Sequence, residues 1–202
     1  MLTYLITSFS GEAAFFMYTL LVVMAFAIAV MVERAYTLTR YRCDTDALIG
    51  KLDAAVKGGT TGAVTLGDTP AEAVARAGLA YADPDLAWEA MAAASVDAEL
   101  KVRRRIAYLS AVASIATMVG LFGTVYGLIL AFGALGDVAA AERAAQLSEG
   151  SSTAMATTAF GLLVAIPALG AHSLADATAR ELLGNIERVA TRLVLALKAA
   201  RA

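Results

Sequence analysis

From Ile106 to Leu135 the chain runs for thirty residues without a charged side chain, and near the middle of that run stands GLFGTVYG, Gly120 to Gly127. Lipid offers a backbone no hydrogen-bond partners, so a run of this length must close its amide bonds internally as a helix, and about 20 apolar residues suffice to cross a bilayer. Two further runs of the same kind cover residues 13–32 and 150–175. The expectation is an all-α membrane protein with three transmembrane helices, at about 13–32, 106–135 and 150–175, forming one domain over residues 1–202. Apolar residues make up 59% of the chain and the formal charge is only -2, with no basic patch among aromatics, which argues against nucleic acid as a partner.

Lysines and arginines set the orientation. Residues 1–12 hold none, residues 33–105 hold ten, residues 136–149 hold only Arg143 and the tail from Asp176 holds five. By the positive-inside rule the amino terminus and the 136–149 connection lie outside, while the loop 33–105 and the tail 176–202 are cytoplasmic. The amino terminus has neither a basic leader nor a small-x-small cleavage site, so the first run reads as a retained span. Cys43 is the single cysteine and reads as a reduced cytoplasmic thiol without a role.

The loop is legibly helical. Leu48, Ile49, Leu52 and Val56 share a face that starts after Asp44 and stops at Gly58-Gly59. Thr69-Pro70-Ala71-Glu72 has the form of a capping box with proline at the first helical position, and Asp83-Pro84-Asp85 repeats the start signal. From Pro84 neither proline nor glycine interrupts the chain before Gly120, so one helix is expected to run from the cytoplasm into the second span. Leu86, Met91, Val96, Leu100 and Val102 are its apolar positions, and Lys101, Arg103, Arg104 and Arg105 form a basic cluster suited to lipid phosphates. In the tail Leu182, Ile186, Val189, Leu193 and Leu197 recur at helical spacing, which predicts a continuation of the third span packed in a cytoplasmic bundle.

The polar residues of the spans are hydroxyls. Ser110, Ser114, Thr117 and Thr124 fall on one stripe of the second span, and Gly123, Gly127 and Ala131 form a GxxxG-like face beside Gly120. In the third span Ser151, Ala154, Thr158, Gly161, Ala165 and Ala168 make a small-residue stripe flanked by Thr153 and Thr157. Each hydroxyl alone fits helix packing, since serine and threonine bond the carbonyl one turn back or a neighbouring helix. The aligned set fits a water-accessible or ion-conducting path equally well.

None of the three runs contains Asp, Glu, Lys or Arg, and the one histidine, His172, stands near the cytoplasmic end of the third. Proton relays within membranes ordinarily use an ionisable side chain, so if protons move here a second protein has to supply the carboxylate. No metal-ligand spacing, phosphate-binding glycine loop or serine–histidine pairing is visible, and an enzyme is not expected.

SIATMVGLFGTVYGLILAF, Ser114 to Phe132, and AMATTAFGLLVAIPAL, Ala154 to Leu169, resemble the second and third spans of the proton-channel family that includes MotA, TolQ and ExbB. VERAYTL, Val32 to Leu38, is similar to the ExbB and TolQ branch, which three spans also favour over the MotA branch. The resemblance implies a ring-forming homo-oligomer, a pentamer, in the bacterial inner membrane, with its amino terminus periplasmic and its carboxyl terminus cytoplasmic. It implies a single-span partner of the ExbD or TolR type whose membrane aspartate carries protons, a TonB-like or TolA-like protein driven by the complex, and no cofactor besides the coupling ion. By motif position Thr124 and Thr158 face that aspartate, with Thr157, Thr117, Ser114 and Thr153 along the same path. Gly120, Gly123, Gly127 and Gly161 pack helices, and Pro167 kinks the third span. Two positions depart from the branch: Thr153 stands where its members often carry glutamate, and Thr117 where they carry proline. The alternatives are a non-conducting membrane scaffold, a stator of the MotA or gliding type using another ion, and a transporter for a small solute.

Overall fold

The computed structural model describes residues 14–59, 64–136 and 142–201, apart from the side chains of Glu149 and Thr153. The elements in chain order are α1 (Ala14–Arg40), α2 (Thr45–Lys57), α3 (Pro70–Leu79), α4 (Pro84–Arg103), α5 (Ile106–Gly133), a 3₁₀ turn (Ala134–Gly136) and α6 (Arg143–Arg201). No strand occurs among the described residues. Three stretches, within Ala14–Lys57, Pro84–Gly133 and Arg143–Arg201, are long and apolar enough to cross a membrane. The chain divides into two compact units, one of residues 1–33 and 107–173, the other of residues 34–106 and 174–202.

In the first unit, Met17 and Leu20 of α1 meet Ala113 and Ala116 of α5 and Phe160, Val164, Ala165 and Ala168 of α6. Alanines dominate the α5 and α6 sides, so these helices approach closely where lipid provides no hydrophobic drive and van der Waals contact has to hold them. Phe16 adds an edge contact to Phe122 and a tilted one to Tyr126, with ring centroids 5.5 and 5.4 Å away. Only 28, 22 and 44% of the three apolar windows is buried within the chain, so most of their surface is left for lipid or other chains.

The second unit is a helical bundle. Leu48, Leu52 and Val56 of α2, Val74 of α3, Met91 of α4 and Ile186, Val189, Leu193 and Leu197 of α6 form its core. The tail stripe is therefore buried, and so is the α2 face apart from half-buried Ile49. Asp44 caps α2 by accepting from the amide of Ala47, and Gly58 ends it, with Gly59 at φ +63°. Thr69 and Glu72 form the reciprocal capping box of α3, and Asp83 caps α4 with Pro84 at its first position.

One expectation is corrected here. The helix from Pro84 does not run unbroken into the second span, because Arg104 leaves the helical region (φ -52°, ψ 131°) and Arg105 takes φ +63°. Left-handed backbone costs a non-glycine residue about 1–2 kcal/mol. Arg34 of α1, only 4% exposed, donates from Nη1 to the Arg104 carbonyl at 2.7 Å and so satisfies an oxygen that the broken helix leaves over. No glycine or proline marks this break. A second finding concerns α4, which has one face packed and one face open: Met91 and Val102 are buried beside Ala87 and Ala98, whereas Leu86, Val96 and Leu100 are 49, 59 and 68% exposed.

The remaining differences concern ends. The second span ends as α-helix at Gly133 and passes into the 3₁₀ turn, and α6 already begins at Arg143, ahead of the expected third span. Residue 13 and residues 137–141 of the 136–149 connection lie outside the described residues. Helix α6 passes through Pro167 without interruption.

Candidate functional site

Within the first unit, glycine lets α5 and α6 touch backbone to backbone. A methyl group placed on Gly161 would stand 2.7 Å from the carbonyl oxygen of Ala116 and 3.1 Å from Cα of Gly120. On Gly123 it would meet Oγ1 of Thr157 at 2.8 Å, and on Gly127 the side chain of Ala154 at 2.9 Å. On Gly120 it would meet the carbonyl oxygen of Thr157 at 3.1 Å, Cα of Gly161 at 3.2 Å and Cα of Thr158 at 3.3 Å. The four glycines thus form one seam. Its register sets three threonines side by side.

Thr124 Oγ1 donates to Gly120 O at 3.2 Å in its own helix and is placed 3.2 Å from Ala154 O of α6. It also makes a short contact with Thr158 Oγ1. Thr158 Oγ1 reaches Gly120 O at 3.0 Å, and Thr157 Oγ1 reaches Ala154 O at 2.7 Å and Gly120 O at 3.2 Å. Each hydroxyl has one proton and two lone pairs. Three protons therefore serve six contacts, and the Thr124–Thr158 pair can be ordered two ways. Either Thr124 donates to Thr158 and Thr158 to Gly120 O, or Thr158 donates to Thr124 and Thr124 to a carbonyl. Such a pair can reverse its polarity without moving a heavy atom.

Exposure separates the members. Thr157 is completely buried between the helices, whereas Thr124 and Thr158 are half-buried and keep an open side. Ser114 and Thr117 lie on the same helix at the chain's surface, and their hydroxyls bond back to Ser110 O at 3.1 Å and Ala113 O at 3.0 Å. Thr117 is about 10 Å along the helix from Thr124, two turns removed from the cluster. Thr153 belongs to α6, but its side chain lies outside the described residues. His172, on the same helix, is half-buried.

Two members of the site escaped the sequence: the Ala154 carbonyl and the shared acceptor Gly120 O. The bond from Thr124 to Gly120 follows from threonine's habit of bonding one turn back. The contact with Ala154 needs the register of two helices thirty residues apart, on which spacing within either helix is silent.

A glycine seam carrying a threonine pair, in a three-span chain without a membrane carboxylate, is what the comparison with known families bears on. Residues 67–188, more than half of the chain, match the model of the MotA/TolQ/ExbB proton channel family. The chain belongs to that family. The matched residues contain α3, α4, α5 and α6 as far as Arg188, so the whole cluster falls inside the MotA/TolQ/ExbB region. Membership makes this a membrane protein of a proton-channel family whose members work in oligomeric complexes with partners. No curated protein matches the chain.

Proposed function

We propose that the chain is the ring-forming subunit of an inner-membrane motor of the ExbB and TolQ branch, coupling proton motive force to mechanical work through a single-span partner. The carrying observation is the half-open hydroxyl pair Thr124–Thr158 in spans that hold no carboxylate. A partner aspartate of the ExbD or TolR type, set against this pair, takes up and releases the proton. The pair accepts a bond from the protonated acid and donates one to the carboxylate, so its reversible polarity suits both states. A charge crossing the membrane yields about 2.3 kcal/mol per 100 mV, enough to bias the partner's motion within the ring. In this reading the ring is a pentamer, the carboxyl tail is cytoplasmic, a TonB-like or TolA-like protein receives the work, and no covalent chemistry occurs.

The test is proton flux through vesicles holding the chain and its partner. Thr124→Val with Thr158→Val removes the pair while keeping side-chain shape. Flux is expected to fall at least tenfold with the complex intact, and Thr→Ser at both positions should restore it. Unchanged flux overturns the reading. One observation favours a second reading, a non-conducting scaffold: each hydroxyl of the cluster already has an acceptor within the chain. The scaffold predicts that Thr124→Val with Thr158→Val weakens assembly and that no variant changes proton flux.

A further inference from the structure

The second unit presents two unlike outward faces. On α4, opposite buried Ala87, Met91, Ala98 and Val102, stand Leu86, Glu89, Val96 and Leu100. Leu86, Val96 and Leu100 are 49, 59 and 68% exposed, an apolar stripe interrupted by Glu89 that nothing in the chain covers among the described residues. On α6, opposite buried Ile186, Val189 and Leu193, a groove of about 340 Å³ is lined by Gly184, Glu187, Arg188, Thr191, Arg192 and Leu195. One face is apolar with an acidic centre. The other is grooved and net basic.

Ion pairs within the unit define how the two faces are levelled. α4 and α6 run antiparallel, with Asp85 3.4 Å from Lys198 at one end and Asp176 3.4 Å from Arg103 at the other. This register sets Leu86 level with Leu195, Glu89 level with Arg192 and Val96 level with Gly184. Copies related by rotation about an axis along these helices keep the same levels. Across a contact between neighbours, Leu86 would then meet Leu195, and Val96 would enter the space beside Gly184, where a Cβ would find nothing within 4 Å. Glu89 would meet Arg192, and neither forms an ion pair with another described residue, whereas Arg188 is already held by Asp46 at 3.2 Å. Shape, charge and level agree together.

We infer that the α4 face of one copy docks into the α6 groove of the next. The contact joins two different surfaces, so it propagates head to tail and closes into a ring rather than pairing two copies. The inference rests on the reading of the chain as a ring subunit and adds which faces make the ring.

The full-length chain, with Cys43→Ser, is produced with its partner as two differently tagged copies, one carrying Val96→Cys and the other Gly184→Cys, and oxidised in native membranes. A disulfide between the two tags is expected, and none in membranes holding either copy alone. Val96→Cys against Leu195→Cys, about 16 Å off level, should stay unlinked. Glu89→Arg should lower the crosslinking yield several-fold and Arg192→Glu in the same chains should restore it. Val96→Cys copies that link to one another, a Leu195→Cys link of equal yield, or an absent Gly184→Cys link would each overturn the docking. Proton flux on the same membranes keeps the two ideas apart. Flux without the crosslink sinks the docking alone, and the crosslink without flux sinks the motor alone.

Discussion

Thr157 and Thr158 are neighbours in sequence with the same hydroxyl, yet they hold different positions. Thr157 points into the seam, fully buried, and bonds Ala154 O at 2.7 Å, whereas Thr158 sits at the seam's edge with Thr124. Thr157→Val is expected to cost about 0.6–2 kcal/mol of α5–α6 association, read as a lower midpoint for dissociation of the complex in detergent, while leaving proton flux per assembled complex unchanged. Gly161→Ala should be harsher, since its methyl would press on the Ala116 carbonyl at 2.7 Å. Overpacking of this kind costs about 1–3 kcal/mol, and the same dissociation midpoint reads it.

Among the elements, α3 owes its start to one reciprocal contact. The Thr69 hydroxyl, foremost, holds the Glu72 carboxyl below the usual carboxylate range, aided by the Thr69 and Gly67 backbone amides and the Arg76 charge against the opposing effect of burial. The ionised form is thus favoured by folding. Its stabilisation is fully present above the unfolded value, about 4.3, and is lost as pH falls through the lower folded value. Helicity measured against pH should therefore decline at the acid end less steeply in Glu72→Gln than in the natural chain. Thr69→Ala should cost about 1 kcal/mol at neutral pH. The break between α4 and α5 makes a second prediction. Arg34→Ala strips the Arg104 carbonyl of its donor and should lower the midpoint clearly.

At the scale of the whole molecule, the spans carry hydroxyls and no acid, so in the proposed reading conduction draws on the partner's carboxylate. Vesicles with the purified chain only should show no proton flux above protein-free vesicles. Adding the single-span partner should open the path, and replacing that partner's membrane aspartate by asparagine should close it. Flux through the chain alone would mean that water threads the hydroxyl stripe without a titrating group.

The number and type of the spans were legible because a bilayer core accepts only backbone that is bonded to itself, which makes a long uncharged run a helix in any setting. Capping was legible too, at Thr69 and Asp83, since a cap is a contact between residues three apart or fewer. The family resemblance was carried by the residues around Thr124 and Thr158, and the match over residues 67–188 supports it. What tertiary structure decided was everything that depends on register between distant helices. The Gly120 and Ala154 carbonyls join the threonines only through the seam. The turn at Arg104–Arg105 carries no glycine or proline and is held by a buried arginine seventy residues earlier. The stripe Leu86, Val96 and Leu100 looks like core in one dimension, yet alanines fill the core side of α4. Local patterns report what a segment can bury; which face it buries depends on the partner that the rest of the chain brings to it.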